Sequence, residues 1–183
     1  MADKKKTRFV IRPAEVQDIP ACIALDHSLE TQMVWQMKLQ ADQEHHTIVF
    51  QTLRLPRPIR VEYPRSPEAL GRELAEVKGM LVAEAEGVIL GYLQVILNLA
   101  DRSAWVRNFA VGTTWRRRRI GSALLDQAIR WAQHYQARQI TLETTTRSYP
   151  AIEFMTARGL LFCGFNDRYY SSQDIAIFFG QNI

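Results

Sequence analysis

Cysteine is nearly absent from this 183-residue chain: Cys22 and Cys163 are the only two. Two isolated thiols make neither a disulfide framework nor a Cys-x-x-Cys metal spacing, and the scarcity points to a reducing cytoplasm. His45 and His46 are adjacent, but no His-Glu-x-x-His accompanies them, so no metal site is expected. Long apolar runs are also missing, and no stretch has the length of a membrane span. The start, "MADKKKTRFVIRP", has lysines without an apolar core or a small-residue cleavage site, so no secretion signal is expected. Repeats and low-complexity segments do not occur. The net charge of +4 is compatible with an anionic ligand and too weak by itself to argue for nucleic acid.

What the chain does have is the length of one domain, 1–183, and 47% hydrophobic residues with which to build its core. "RFVIRP" reads as a short strand ended by Pro13. Residues 14–39 read as helix in two pieces, with Ile19, Ile23 and Leu25 on the first and Met33, Val34 and Met37 on the second. The segment 47–64 combines β-branched residues with Pro56, Pro58 and Pro64, the composition of an edge strand or an arm. Ser66-Pro67-Glu68 is a helix start with cap and proline. "MLVAEAEGVILGYLQVIL" reads as a hairpin turning at Glu86-Gly87, and "SAWVRNFAV" as a further strand ending at Gly112-Thr113.

The second half alternates more regularly. Ile120, Leu124, Ala128, Ile129, Ala132 and Tyr135 recur at helical spacing, "QITLETTT" is a strand, and "PAIEFMTARG" is a helix with proline near its start and Gly159 as C-cap. "LLFCGFNDRYY" and "DIAIFF" complete the pattern as two strands. The order predicts an α/β fold with a mixed sheet and helices packed on it.

Four consecutive arginines, Arg116 to Arg119, stand between the strand 105–111 and the helix after it. A basic turn facing water is one reading. A strand, a short turn and a helix N-terminus also bring free backbone amides and the positive end of the helix dipole together, which makes an anion site. No Gly-Lys-Ser/Thr occurs, and no two glycines stand two apart, so neither a Walker loop nor a dinucleotide fingerprint is present.

The run Arg116-Arg117-Arg118-Arg119-Ile120-Gly121 lies on the pattern Gln/Arg-x-x-Gly-x-Gly/Ala, and here the chain resembles the GNAT superfamily of acetyl-CoA-dependent N-acetyltransferases. "NFAVGTTWRRRRIGSALL" is similar to the fourth strand, loop and third helix of that family, "ITLETTT" and "AIEFMTARGL" to its fifth strand and following helix. The tail "GFNDRYYSSQDIAIFF" looks most like streptothricin-type acetyltransferases. The resemblance implies a splayed mixed sheet and acetyl-CoA as co-substrate, with no metal. It implies that Arg116, Arg117, Arg118, Arg119, Ile120, Gly121 and Ser122 hold the pyrophosphate, and that the backbone of Phe109, Ala110 and Val111 binds the pantetheine arm. Glu143 falls where some relatives carry a base glutamate; as a strand residue between Leu142 and Thr144 it otherwise faces solvent.

Three positions depart from the family pattern. Arg119 replaces a glycine, a change that costs nothing if the backbone there is already helical. Leu160 replaces a phenylalanine, and Met155 replaces the tyrosine that serves as acid in relatives. A thioether has no proton to give, so Met155 is expected to be a pocket wall, with Tyr149, Tyr169, Tyr170, Ser148, water or unassisted thiolate departure in the acid's place. Trp35 and Met37 read as core, and Arg54, Arg57, Arg60 and Arg65 as solubilising charge. The expected activity is transfer of acetyl to a primary amine, a small-molecule amine ahead of a protein amine. Neither nucleic acid nor membrane is an expected partner. A non-catalytic acyl-CoA sensor and a phosphate-contacting nucleic-acid binder are the competing classes. The arm 47–64 is expected to wall the acceptor pocket or to pair with a second copy in a homodimer.

Overall fold

A computed structural model describes residues 8–75 and 79–183; the lysine-bearing start up to Thr7 lies outside them. Strand β1 (Val10–Pro13) is followed by a 3-10 turn (Val16–Asp18) and helix α1 (Ile19–Ala24). Strands β2 (Leu29–Ala41) and β3 (His46–Val61) precede helix α2 (Pro67–Leu74) and strands β4 (Met80–Ala85), β5 (Val88–Asn98) and β6 (Ser103–Val111). Then come a 3-10 turn (Thr113–Trp115), helix α3 (Ile120–His134), β7 (Gln139–Thr145), α4 (Tyr149–Ala157), β8 (Leu161–Asn166) and β9 (Ala176–Asn182). No helix of the described residues is long and apolar enough to cross a membrane.

Among the described residues seven strands form one mixed sheet in the order β1-β4-β5-β6-β7-β9-β8, and β2 and β3 form a separate antiparallel pair. Ser66 caps α2 by accepting from the Ala69 amide, as its sequence signature predicts. The β4–β5 hairpin turns at Glu86 and Gly87, both with positive φ (51° and 79°), the geometry that suits a two-residue hairpin.

The expected helix over Met33, Val34 and Met37 is instead the strand β2. Its local composition (Gln, Met, Lys, Leu, Ala) suits a helix, and the partner strand overrides that preference. Leu29 to Ala41 pair in register with Val61 back to His46, which places Trp35 opposite Thr52, Met37 opposite Phe50 and Leu39 opposite Ile48. The ladder jumps from Thr31↔Ile59 to Met33↔Arg54, so Pro56 and Pro58 fall in the stretch left out of the pairing. The Trp35 amide donates to the Thr146 carbonyl (2.8 Å), and its indole packs on Phe50, Phe162 and Phe179, which docks the hairpin on the main sheet.

The sheet buries both faces. On one, Ile120, Leu124, Leu125, Ala128 and Ala132 of α3 pack with Leu93, Val106, Ile140 and Leu142. On the other, Cys22 and Leu74 pack with Val82, Tyr92 and Ala110. Residues of β6 change face at a bulge. Gln94 pairs with Asn108 but Val95 with Val106, so Arg107 is the extra residue. Ala104 and Val106 therefore join the α3 side, while Ala110 joins the α1–α2 side.

The bulge also marks where the sheet opens. Parallel pairing of β6 with β7 runs only from Ser103↔Gln139 to Val106↔Leu142. Beyond it β6 keeps only β5, β7 keeps only β9, and the two inner edges face each other across a gap.

Candidate active site

One cavity of about 1220 Å³ occupies that gap, lined at one end by the arginine loop and at the other by Tyr63, Arg65, Glu143 and Tyr170. The loop is a nest of amides. Arg117 and Arg119 both have positive φ (61° and 65°), and the first intrahelical amide of α3 is that of Ala123, which donates to the Arg119 carbonyl (3.0 Å). The amides of Ile120, Gly121 and Ser122 precede it and stay free for a ligand. Those residues, with Arg117 and Arg119, line the cavity. The arrangement fits the pyrophosphate of an acyl-CoA, and the open edge of β6 fits an extended arm.

Arg119 does not have the helical backbone on which its tolerance was to depend. It is the N-cap in left-handed conformation (φ 65°, ψ 8°), the region a glycine enters without penalty. An L-residue there costs roughly 1–2 kcal/mol. Arg119→Gly is therefore expected to raise the melting temperature by about 2–4 °C per kcal/mol recovered, while weakening acetyl-CoA binding through loss of a cation. A melt at or below the wild-type temperature would contradict this.

The four arginines have different tasks. Arg116 turns inward: its Nε donates to the Val111 carbonyl (2.9 Å) and its Nη2 to the His27 carbonyl (3.4 Å). Arg118 lies over the Trp115 indole, 5.0 Å from its centroid. Arg117 and Arg119 complete the set at the cavity wall. Phe109 and Val111 line the same wall, and buried Ala110 stands between them.

At the far end Glu143 does not face solvent: its side chain is 1% exposed. Oε2 accepts from Trp105 Nε1 (2.8 Å) and the Tyr169 hydroxyl (2.7 Å); Oε1 accepts from the Tyr170 hydroxyl (3.2 Å) and from Arg65 Nη2. Arg65 is not a solubilising charge. Its side chain is 7% exposed, its Nε also meets Glu73 (3.1 Å to Oε2), and its guanidinium lies over the Tyr170 ring. Glu73 accepts in turn from Asn108 Nδ2 (2.9 Å), which also donates to Gln94 Oε1 (2.9 Å). Burial, and the Glu143 charge beside it, push the Tyr169 phenol up to about 12.

Met155 is buried in the core and lines the cavity. Trp35 is both core and cavity wall. Tyr169 and Tyr170 come to Glu143, Ser148 pairs with Thr145 (3.1 Å), and Tyr149 lines the cavity at the start of α4. Arg65, Glu73 and Tyr63 gave no signal in the sequence. Asn108 gave one: an amide inside an apolar strand needs buried partners.

His27 closes the wall beside Tyr63, ring centroids 5.0 Å apart, and its Nε2 meets the Tyr92 hydroxyl (3.0 Å). Burial holds the imidazole below its ordinary 6.5, with nearby Asp26 opposing and Arg116 adding to the shift. The unfolded chain then binds the proton more readily than the folded one, so this contribution is complete above pH 6.5 and is lost as pH falls below it. His27→Gln should flatten the fall in melting temperature between about pH 7 and pH 5. An equal slope in both proteins would argue against it.

A strand–loop–helix anion nest on a splayed mixed sheet, with a buried polar cluster across the gap, defines an acyl-CoA-dependent transferase. Residues 42–160 match the profile of the Acetyltransferase (GNAT) family, and the chain belongs to that family. It is an N-acetyltransferase with acetyl-CoA as co-substrate. No curated protein sequence matches it significantly. Among solved structures it is similar to nourseothricin acetyltransferase (22% identity, 95% of this chain and 98% of that one, TM-score 0.81). It is also similar to a protein assigned as a streptothricin acetyltransferase from Bacillus anthracis strain Ames, solved with acetyl coenzyme A (19%, 98% and 99%, TM-score 0.73). A third is the ribosomal-protein-S18-alanine N-acetyltransferase from Escherichia coli (17%, 96% and 94%, TM-score 0.65).

Proposed function

We propose that this chain transfers the acetyl group of acetyl-CoA to a primary amine of a small molecule by direct attack. The observation that carries the reading is that the amide nest and the buried Glu143 share one continuous cavity. The β2–β3 hairpin supplies Leu29, Glu30, Trp35, Thr52 and Val61 to its wall, which narrows the acceptor end. Two of the three relatives above carry the names of nourseothricin and streptothricin, which supports a small-molecule acceptor over a protein one.

Acetyl-CoA supplies the acetyl group as an activated thioester. The residues' share is to hold it by the amides of Arg117 to Ser122 and the edge Phe109–Val111, and to receive the acceptor. Amines attack only when neutral, and Glu143 is the carboxylate that takes the proton. Its four donors mean that an incoming ammonium has to displace one of them. Met155 walls the site and leaves the thiolate to depart without a methionine proton.

An amine-library screen that reads release of free thiol tests the proposal. Thiol release with a small amine supports it; binding of acetyl-CoA without thiol release for any amine points to a sensor. Leu39, Ile48 and Val49 are exposed at the hairpin tip, which supports pairing with a second copy and is checked by light scattering.

A further inference from the structure

The parallel ladder between β6 and β7 ends at Val106↔Leu142. Arg107 and Glu143 are therefore the first residues past the last pair, one on each inner edge, where the sheet begins to open. Both line the cavity. A guanidinium and a carboxylate thus flank its acceptor end.

The two charges are held very differently. Glu143 is closed in by its four donors. Arg107, the extra residue of the β6 bulge, keeps 39% of its side chain exposed. Among the described residues its guanidinium makes no hydrogen bond, and its one ion pair is with Glu73, 3.5 Å from Nε to Oε2. That oxygen already accepts from Asn108 Nδ2 (2.9 Å) and meets Arg65 Nε (3.1 Å). A partly exposed pair of this length contributes little and is readily exchanged for a better one.

We propose that Arg107 is a specificity-determining residue whose guanidinium binds a carboxylate of the acceptor. The acceptor class is then an amino acid, a small molecule with a primary amine and a carboxylate a few atoms apart. The inference rests on the acetyl-transfer reading and deepens it.

The other groups at that end are engaged. Arg65 is buried between Glu143 and Glu73, and Arg116 is turned onto the Val111 and His27 carbonyls. The Tyr63 hydroxyl accepts from the Phe109 amide (3.3 Å) and donates to Asn108 Oδ1 (3.2 Å). On the hairpin side Glu62 pairs with Arg60 (2.8 Å) and Glu30 stands opposite Arg60 in the ladder; both carboxylates are exposed, and water screens them. Arg107 is left as the cation that a ligand can engage.

A guanidinium offers two parallel N–H donors to a carboxylate, a match that an amine without one cannot make. Such an amine would enter against the Arg107 charge, whereas an amino acid offsets that charge and turns its ammonium toward Glu143. The ammonium loses one proton to Glu143. The nitrogen then bonds to the acyl carbon, the carbon–sulfur bond breaks with sulfur leaving as thiolate, and the surplus proton on nitrogen passes to water. The carboxylate stays ionised throughout, so Arg107 holds substrate and transition state alike.

The test measures thiol release from acetyl-CoA with the protein amino acids, β-alanine and γ-aminobutyrate, each against its own carboxamide. The wild type should favour the best acid over its carboxamide by about 10- to 10²-fold in kcat/KM, the worth of a charge-assisted hydrogen bond. Arg107→Gln should abolish that preference, with the loss for the acid falling on KM, as uniform binding requires. A purely structural role would instead lower acid and carboxamide alike. A wild type that acetylates carboxamides as well as acids overturns the proposal, and so does an Arg107→Gln protein with the wild-type ratio. If Arg107→Gln fails to fold, Arg107→Lys replaces it; lysine keeps the charge without the planar fork and should show a smaller ratio, and an equal one overturns the proposal. If no amine releases thiol, the transfer reading fails, and calorimetry on the protein loaded with acetyl-free CoA still decides the site. An amino acid that binds more tightly than its carboxamide retains Arg107 as a carboxylate site, and equal affinities across the panel overturn it.

Discussion

Gly121→Glu is expected to fold normally and to lose acetyl-CoA binding. The nearest atoms to a Cβ at Gly121 would be Phe109 Cζ at 3.5 Å and Phe154 Cε2 and Cζ at 3.6 and 3.7 Å, ordinary contact distances, so the first added carbon disturbs nothing. Gly121 lines the cavity together with Ile120, Ser122, Phe109 and Phe154, so the rest of the side chain has the loop end of that cavity to enter. A carboxylate at a helix N-terminus interacts favourably with the dipole, by about 0.3–1 kcal/mol, so the fold should keep or gain stability. The same carboxylate occupies the donors that a pyrophosphate needs and repels its charge. Calorimetry should find no measurable binding, with Gly121→Ala close to wild type. Unchanged affinity in a folded Gly121→Glu protein would remove the pyrophosphate from this loop.

The other large effect is expected at Glu143. Glu143→Gln should lower turnover by roughly 10²-fold or more if the carboxylate is the base. Acetyl-CoA affinity should change little, because the amide nest is at the opposite end of the cavity. The substitution also has a structural cost. Trp105, Tyr169, Tyr170 and Arg65 all donate to this carboxylate, and a glutamine presents two N–H donors to the same partners. Breaking a buried ion pair costs as much as about 3–5 kcal/mol, and here Arg65 keeps Glu73, which reduces the loss. Turnover therefore has to be read on protein shown to be folded by its melting curve. A pH–rate profile identical to wild type would leave Glu143 as a structural anchor for Arg65 and the two tyrosines.

Both predictions start from residues that the sequence itself singles out, though to different degrees. The loop was legible because its parts are contiguous: strand, turn, four arginines and an amphipathic helix lie between Ser103 and His134. The acceptor end was not, because its parts are scattered. Arg65 and Glu143 stand 78 positions apart, and Tyr63 and Asn108 stand 45 apart. In an arm with arginines at 54, 57, 60 and 65, nothing local distinguishes the one that is buried. Asn108 could have been marked as a polar residue in an apolar strand, but its partners could not be named.

The sequence by itself determined the elements whose signals are local. Ser66 capping α2, Glu86-Gly87 turning a hairpin, the 3.6-residue spacing of Ile120 to Ala132 and the alternation of Ile140 and Leu142 each follow from nearest-neighbour sterics and hydrogen bonding. Only the tertiary structure decided whether residues 29–41 are helix or strand, because their helix-compatible side chains yield to a ladder with β3, and pairing energy is not written in one strand alone. Only it decided the left-handed backbone of Arg119, which lies in the eight residues that join the end of β6 at Val111 to the start of α3 at Ile120. It also decided the opening of the sheet. The bulge at Arg107 ends the β6–β7 ladder, sends Asn108 to the α2 side and leaves the Phe109 amide without a strand partner, and a one-residue slip in pairing is a property of two strands together.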